Sequence, residues 1–113
     1  MIESTPKFVQ GIYAFTGQGY GTPTSLAGYT VAADKRAQPV YLRAGNSSDA
    51  LVVLTLTRNG ETMRLFPVGA RSAQHVPLVV VEDISPETEL ALTVAAPAGT
   101  EGTVIIDFGL VEV

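Results

Sequence analysis

The dipeptide Asn59-Gly60, set between the runs ALVVLTLTR and ETMRLFPV, constrains this chain more than any other feature. Both central residues of a type I′ turn need positive φ, which Asn and Gly accept readily, so the pair closes a two-residue β-hairpin. That turn opposes Arg58 to Glu61, Thr57 to Thr62, Leu56 to Met63, Thr55 to Arg64 and Leu54 to Leu65. Side chains alternate between faces along a strand, which puts Val52, Leu54, Leu56, Met63 and Leu65 on one face. Thr55, Thr57, Thr62 and Arg64 fall on the other. A slip of one residue would turn the leucines to water.

Period-two alternation recurs along the chain. Gln38–Ala44 sets Val40 and Leu42 against Tyr41 and Arg43. Thr88–Ala95 places Leu90, Leu92 and Val94 inward, and Thr103–Val113 does the same with Val104, Ile106, Phe108 and Leu110, with Gly109 as a candidate bulge. Ala73–Asp83 carries valines on both faces and reads as a strand buried on both sides, its first half demoted to an edge or bulge by Pro77. Tyr29–Ala33 is a weaker strand. AGNSSD, SPE and PAGTEG read as ordinary turns. No window keeps a helical period, and seven prolines are spread from Pro6 to Pro97. The expected fold is all-β: a single antiparallel β-sandwich of seven or eight strands, jelly-roll or immunoglobulin-like.

Its 113 residues suit one domain. Residues 27–113 hold the sandwich core. Residues 1–26 belong to the same domain but differ in character, with a strand over Lys7–Phe15 followed by the Gly/Thr/Pro-rich TGQGYGTPTS. Five of the eight aromatics lie at or before Tyr29: Phe8, Tyr13, Phe15, Tyr20 and Tyr29. One reading is an aromatic arm that docks on a neighbour or stacks on a ligand. The other is a loop packed over one end of its own sandwich. Arg43 and Arg64 are expected to face away from the core, as a patch for a partner's carboxylates or as solvated side chains. These seven residues are the interface or ligand candidates.

Several chemistries find no support. There are no cysteines, hence no disulfides and no thiolate metal site or nucleophile. His75 is the single histidine, with Gln74 and Val76 beside it, and reads as structural or surface-exposed rather than as a ligand or base. No G-x-S-x-G elbow occurs. Gly17-Gln18-Gly19-Tyr20-Gly21 has no following lysine and opens no helix, so it is not a phosphate loop. Glu82-Asp83 would point to opposite faces; Glu87 and Glu89 can face the same way and with Asp83 form a weak cation-site candidate, but the plainer reading is solvated loop charges. No catalytic residue, metal or cofactor is implied.

A net charge of −4 argues against nucleic acid, which needs clustered Lys and Arg. Residues 1–71 carry +3 and residues 72–113 carry −7. If the halves lie apart, copies could meet head to tail, although interleaved strands would cancel the asymmetry. The sequence contains no run of apolar residues long enough for a membrane helix, and its start, MIESTPKFVQ, lacks the pattern of a signal peptide. The expected location is the cytoplasm or an assembled particle. Charged residues make up 16% of the chain, against about 25% in a typical domain. So little charge suggests surface covered by another copy or another protein. The leading expectation is therefore a non-catalytic assembly module that self-associates or decorates a larger particle, such as a viral or phage shell. The alternative is a carbohydrate-binding module using Tyr13, Tyr20, Tyr29 or Tyr41 as stacking platforms.

Overall fold

Strands form where the alternation predicts them, and inserted residues decide which face each presents. The computed structural model describes residues 4–113. Among them are eight strands and no helix: β1 (Thr5–Thr16), β2 (Thr24–Thr30), β3 (Ala37–Asn46), β4 (Val52–Arg58), β5 (Glu61–Val68), β6 (Ser72–Pro77), β7 (Glu89–Ala95) and β8 (Glu101–Glu112). Among the described residues no helix is long and apolar enough to cross a membrane.

β1 pairs with β8, β2 with β7, β3 with β6 and β4 with β5, each pair nested inside the last and all antiparallel. Ladders β3–β8 and β4–β7 complete two four-stranded sheets. The front sheet runs β1-β8-β3-β6 and the back sheet β2-β7-β4-β5. One long hairpin folded over on itself gives this order, which is that of a jelly roll. The core lies between the sheets. Leu54, Leu56, Phe66, Leu90 and Leu92 meet Leu42, Ile106, Phe108 and Leu110, each at most 2% exposed. Burying such a side chain stabilises the fold by about 1.5–3 kcal/mol.

The hairpin turns at Asn59 (φ 48°) and Gly60 (φ 83°), as expected. Its register holds for Arg58–Glu61 and Thr57–Thr62 and then shifts. Met63 is an extra residue on β5, so Leu56 faces Arg64, Thr55 faces Leu65 and Leu54 faces Phe66. This corrects the inward placement of Leu65, which is 61% exposed, while Phe66 and Val68 are buried. The physical reason is a comparison of burials. The shifted ladder hides Phe66 and Val68 and leaves Pro67, which has no N–H to donate, on the outer face of an edge strand. A second bulge inserts Val40 between Pro39 and Tyr41, opposite Gly109. Val40 is therefore 42% exposed rather than inward, and the irregularity expected at Gly109 lies on its partner strand.

The valine run departs further from expectation. β6 ends at Pro77, and the chain leaves the sheet after Leu78, whose N–H donates to the Val40 carbonyl. Val79, Val80 and Val81 are exposed at 88%, 74% and 51%, so Ala73–Asp83 is not a strand buried on both faces. The crossing segment is tied down by Ile84, which exchanges backbone hydrogen bonds with Ala37, and by the ion pairs Arg58–Glu82 and Arg36–Asp83. The weak strand expected at Tyr29–Ala33 forms earlier, as β2, and Val31 is a buried core residue just past its end.

The AGNSSD turn is more than a connection. Buried Asn46 donates from Nδ2 to the carbonyls of Ala50 (2.9 Å) and Gly69 (3.0 Å). Its Oδ1 accepts from the Ser48 N–H (2.9 Å) and Oγ (2.8 Å). One amide thereby joins the β3–β4 turn to the end of β5, satisfying groups that would be costly to bury alone.

Candidate functional site: the outer face of the front sheet

Only one side of each front-sheet strand packs on the core, so the other side forms a free surface whose composition the register sets. Even-numbered residues of β1 point outward there, as do Ile105, Asp107 and Gly109 of β8. The ladders align them in rows across four strands. Gln10 lies opposite Asp107, Asp107 opposite Arg43 and Arg43 opposite His75. One row over come Ile12, Ile105, Gly45 and Ala73. On the other side come Phe8, Gly109, Tyr41 and Pro77. A polar row is thus flanked by two apolar ones.

Small residues give the face its relief. Gly45 and Ala73 leave an open trough of about 570 Å³ lined by Arg43, His75, Ile105 and Asp107 among others. A second depression of about 530 Å³ continues it past Ser47, Arg71 and Thr103. Gly109 has no side chain because the Tyr41 ring occupies that space. A Cβ there would fall on Tyr41 Cε2 and lie 2.6 Å from Cζ and 2.7 Å from Cδ2.

Polar contacts hold the row in place. Tyr41 donates its hydroxyl to Asp107 Oδ1 at 3.0 Å, and Gln10 Nε2 donates to the same oxygen at 3.1 Å. His75 meets the Tyr41 ring edge-on, centroids 5.6 Å apart. Burial raises the Tyr41 pKa, and the hydrogen bond to Asp107 and its negative charge push it further up, while Arg43 pulls it back. The phenol therefore stays a neutral donor. The row presents a carboxylate, a guanidinium, an amide and an imidazole side by side. Among the described residues, no group of three or more His, Cys, Asp or Glu side chains gathers as a metal site would require.

The structure separates the aromatic candidates rather than gathering them. Phe8, 58% exposed, and Arg43 lie on this face. Tyr13 and Phe15 turn inward, Tyr13 packing on the core and Phe15 within it. Tyr29 also points between the sheets and donates to Glu112 on the opposite one. Tyr20 sits at one end of the sandwich, its hydroxyl donating to the Leu51 carbonyl at 2.8 Å. Arg64 is on the back sheet and, contrary to the outward placement expected of it, the bulge sets it opposite buried Leu56 on the parity of Phe66, with its guanidinium 5.8 Å from the centre of the Phe66 ring. The Gly-rich stretch is held on its own sandwich: Gly17 N–H donates to Thr100, Gly19 N–H to Ala96 and Gly99 N–H to Gly17. These bonds fasten Gly17 and Gly19 to the turn between β7 and β8. Of the acidic candidates, Glu82 and Asp83 pair with different arginines. Sequence reasoning did not single out Gln10, Ile12 and Ile105. Their signal was the outward parity of strands whose inward parity was read correctly.

Fold and site together define an all-β jelly-roll domain with an open polar trough across one sheet. Comparison with solved structures gives the same fold class. The CBM36-1 domain of a multidomain xylanase from the hindgut metagenome of Trinervitermes trinervoides aligns with a TM-score of 0.63 at 21% identity, over 95% of this chain and 96% of that one. A carbohydrate-binding module CBM36, solved in complex with calcium and xylotriose, aligns at 0.56 and 17% identity, over 96% and 98%. A chain of infectious bursal disease virus, Gt strain, aligns at 0.53 and 16% identity, over 96% of this chain but 31% of its own. At these identities the likeness is one of fold. No protein-family model matches the chain, and no curated protein matches it in sequence.

Proposed function

We propose that this chain is a non-catalytic binding module whose front-sheet trough holds a carbohydrate chain. The observation that carries this reading is the row Gln10–Asp107–Arg43–His75, laid across four adjacent strands and flanked by Tyr41, Phe8, Ile12 and Ile105. Strands lie about 4.8 Å apart, so the row spans roughly 14 Å. A sugar chain matches that surface, with hydroxyls for the donors and acceptors and C–H faces for the ring and isoleucines. The trough is open along its length, which suits a polymer better than an enclosed small molecule. The full-length likeness to two domains of carbohydrate-binding type supports the class. Calcium forms no part of this reading, because among the described residues no carboxylates gather in a cluster to hold it.

A glycan array followed by titration calorimetry tests the proposal. Asp107→Ala and Arg43→Ala should each weaken binding about tenfold or more, the scale of one lost charged hydrogen bond. Leu65→Ala, on the back sheet, should leave it unchanged. No binding to any glycan class would overturn the reading.

A second reading, assembly with other copies or on a larger particle, is favoured by a separate observation. Phe8, Ile12, Ile105, Val79 and Val80 are each more than half exposed. The virus chain's likeness supports it at the level of fold.

A further inference from the structure

The self-association reading, on which this inference rests, acquires a specific geometry at β1. That strand is the edge of the front sheet and is twelve residues long. One step past its ladder with β8, Gly17 N–H donates to Thr100. Backbone groups alternate in direction along a strand, so odd-numbered residues bond β8. Phe8, Gln10, Ile12 and Ala14 therefore turn N–H and C=O toward the open side. Edge strands are usually guarded by lysine, proline, a bulge or a cover. Here Pro6 and Lys7 guard the first residues only. From Phe8 to Thr16 there is no charge and no proline, and the ladder has no bulge.

We infer that a second copy of this chain adds its own β1 antiparallel to this edge, with Gln10 opposite Gln10 across a two-fold axis. This register sets Phe8 against Ile12 of the partner copy and Ile12 against its Phe8. These side chains are 58% and 73% exposed in the single chain, and an aromatic–β-branched pair is a favourable cross-strand contact. Like charges do not meet. Lys7, the one charged residue of β1, falls opposite Tyr13 of the partner copy. The two Lys7 side chains stand six residues apart along the strands, roughly 20 Å, well beyond a screening length of about 8 Å. Two front sheets then become one of eight strands. The polar row of one copy continues, through paired Gln10 residues, into that of the other.

The absence of cysteine allows a direct test. A hydrogen-bonded antiparallel pair holds its Cα atoms about 5.5 Å apart, within disulfide reach. Gln10→Cys should form a covalent dimer under mild oxidation much faster than Thr62→Cys, on the far edge of the back sheet. Sedimentation equilibrium of the unaltered chain should show a monomer–dimer equilibrium. Ile12→Lys should shift it at least tenfold toward monomer without altering the melting curve at concentrations where the unaltered chain is already monomeric. An unaltered chain that stays monomeric at every concentration overturns both self-association and the edge. A dimer indifferent to Ile12→Lys, or Gln10→Cys that cross-links no faster than Thr62→Cys, overturns the edge alone.

Discussion

Replacing Gly109 with Ala probes the contact on which the trough is built. Gly109 lies outside the left-handed region, so alanine meets no backbone penalty. Its Cβ does meet the Tyr41 ring, 2.6 Å from Cζ and 2.7 Å from Cδ2. The ring must swing aside. An off-rotamer side chain or local overpacking costs about 1–2 kcal/mol. Breaking the half-exposed hydrogen bond to Asp107 adds about 1 kcal/mol. The total is about 2–3 kcal/mol, or a fall in Tm of about 10 °C for a domain of this size. In a Tyr41→Ala background the obstacle is gone, and Gly109→Ala should then cost less than about 0.5 kcal/mol. Urea unfolding of the four proteins closes a double-mutant cycle with a coupling energy of about 2 kcal/mol. An equal cost in both backgrounds would refute the placement of the ring over Gly109 and, with it, the shape of the trough.

Two further outcomes concern the interior. The bulge at Met63 buries Phe66 and exposes Leu65, so Phe66→Ala should destabilise by about 3–5 kcal/mol and Leu65→Ala by no more than about 0.5 kcal/mol in urea unfolding. The reverse order would restore the unshifted hairpin. Burial, together with the hydrogen bond to Glu112 and its charge, raises the Tyr29 pKa well above its ordinary value of 10.0. Below pH 10 the folded and unfolded chains both keep this proton, and the associated stability is full. Above it the unfolded chain releases the proton first, so stability falls with rising pH, by about 1.4 kcal/mol per unit for one group. Unfolding free energies from pH 8 to 11 should show that fall, and Tyr29→Phe should flatten it by one proton's worth. An unchanged slope would show that Tyr29 titrates normally.

What the sequence revealed were the regular ladders. β7 and β8 alternate without interruption in their inward residues, and Leu90, Leu92, Val94, Val104, Ile106, Phe108 and Leu110 are all buried as their period implies. The Asn59-Gly60 turn was legible because few dipeptides accept two positive φ values. Bulges were not. Inserting Met63 or Val40 reverses the parity of the residues after it. Whether Leu65 or Phe66 goes inward is settled by burial summed over two sheets, which no local window contains. The valine run misled for a related reason: its composition suits a buried strand, but past Pro77 the chain has to cross between layers. The trough was hidden by distance along the chain. Asp107 accepts from Tyr41, 66 residues away, and from Gln10, 97 residues away.

The two outer faces of this sandwich do equal structural work and yet differ in composition. On the back sheet the outward positions of the central strands, Thr55, Thr57, Ala91 and Thr93, are half-buried and pair across β4 and β7, while Leu65, 61% exposed, stands on the edge strand β5 without a charged row beside it. On the front sheet the corresponding surface carries Ile12 at 73% and Ile105 at 53% exposure, directly opposite each other, beside a carboxylate and a guanidinium. Folding does not require that choice. A cross-strand pair facing water contributes only about 0.2–1 kcal/mol, and threonine would fill either site at little cost to the sheet. Exposed isoleucines next to a fixed hydrogen-bonding row gain most when something covers them, since hydrophobic contact supplies free energy and the polar row sets orientation. That difference between the faces is the reason the proposed binding surface is put on the front sheet.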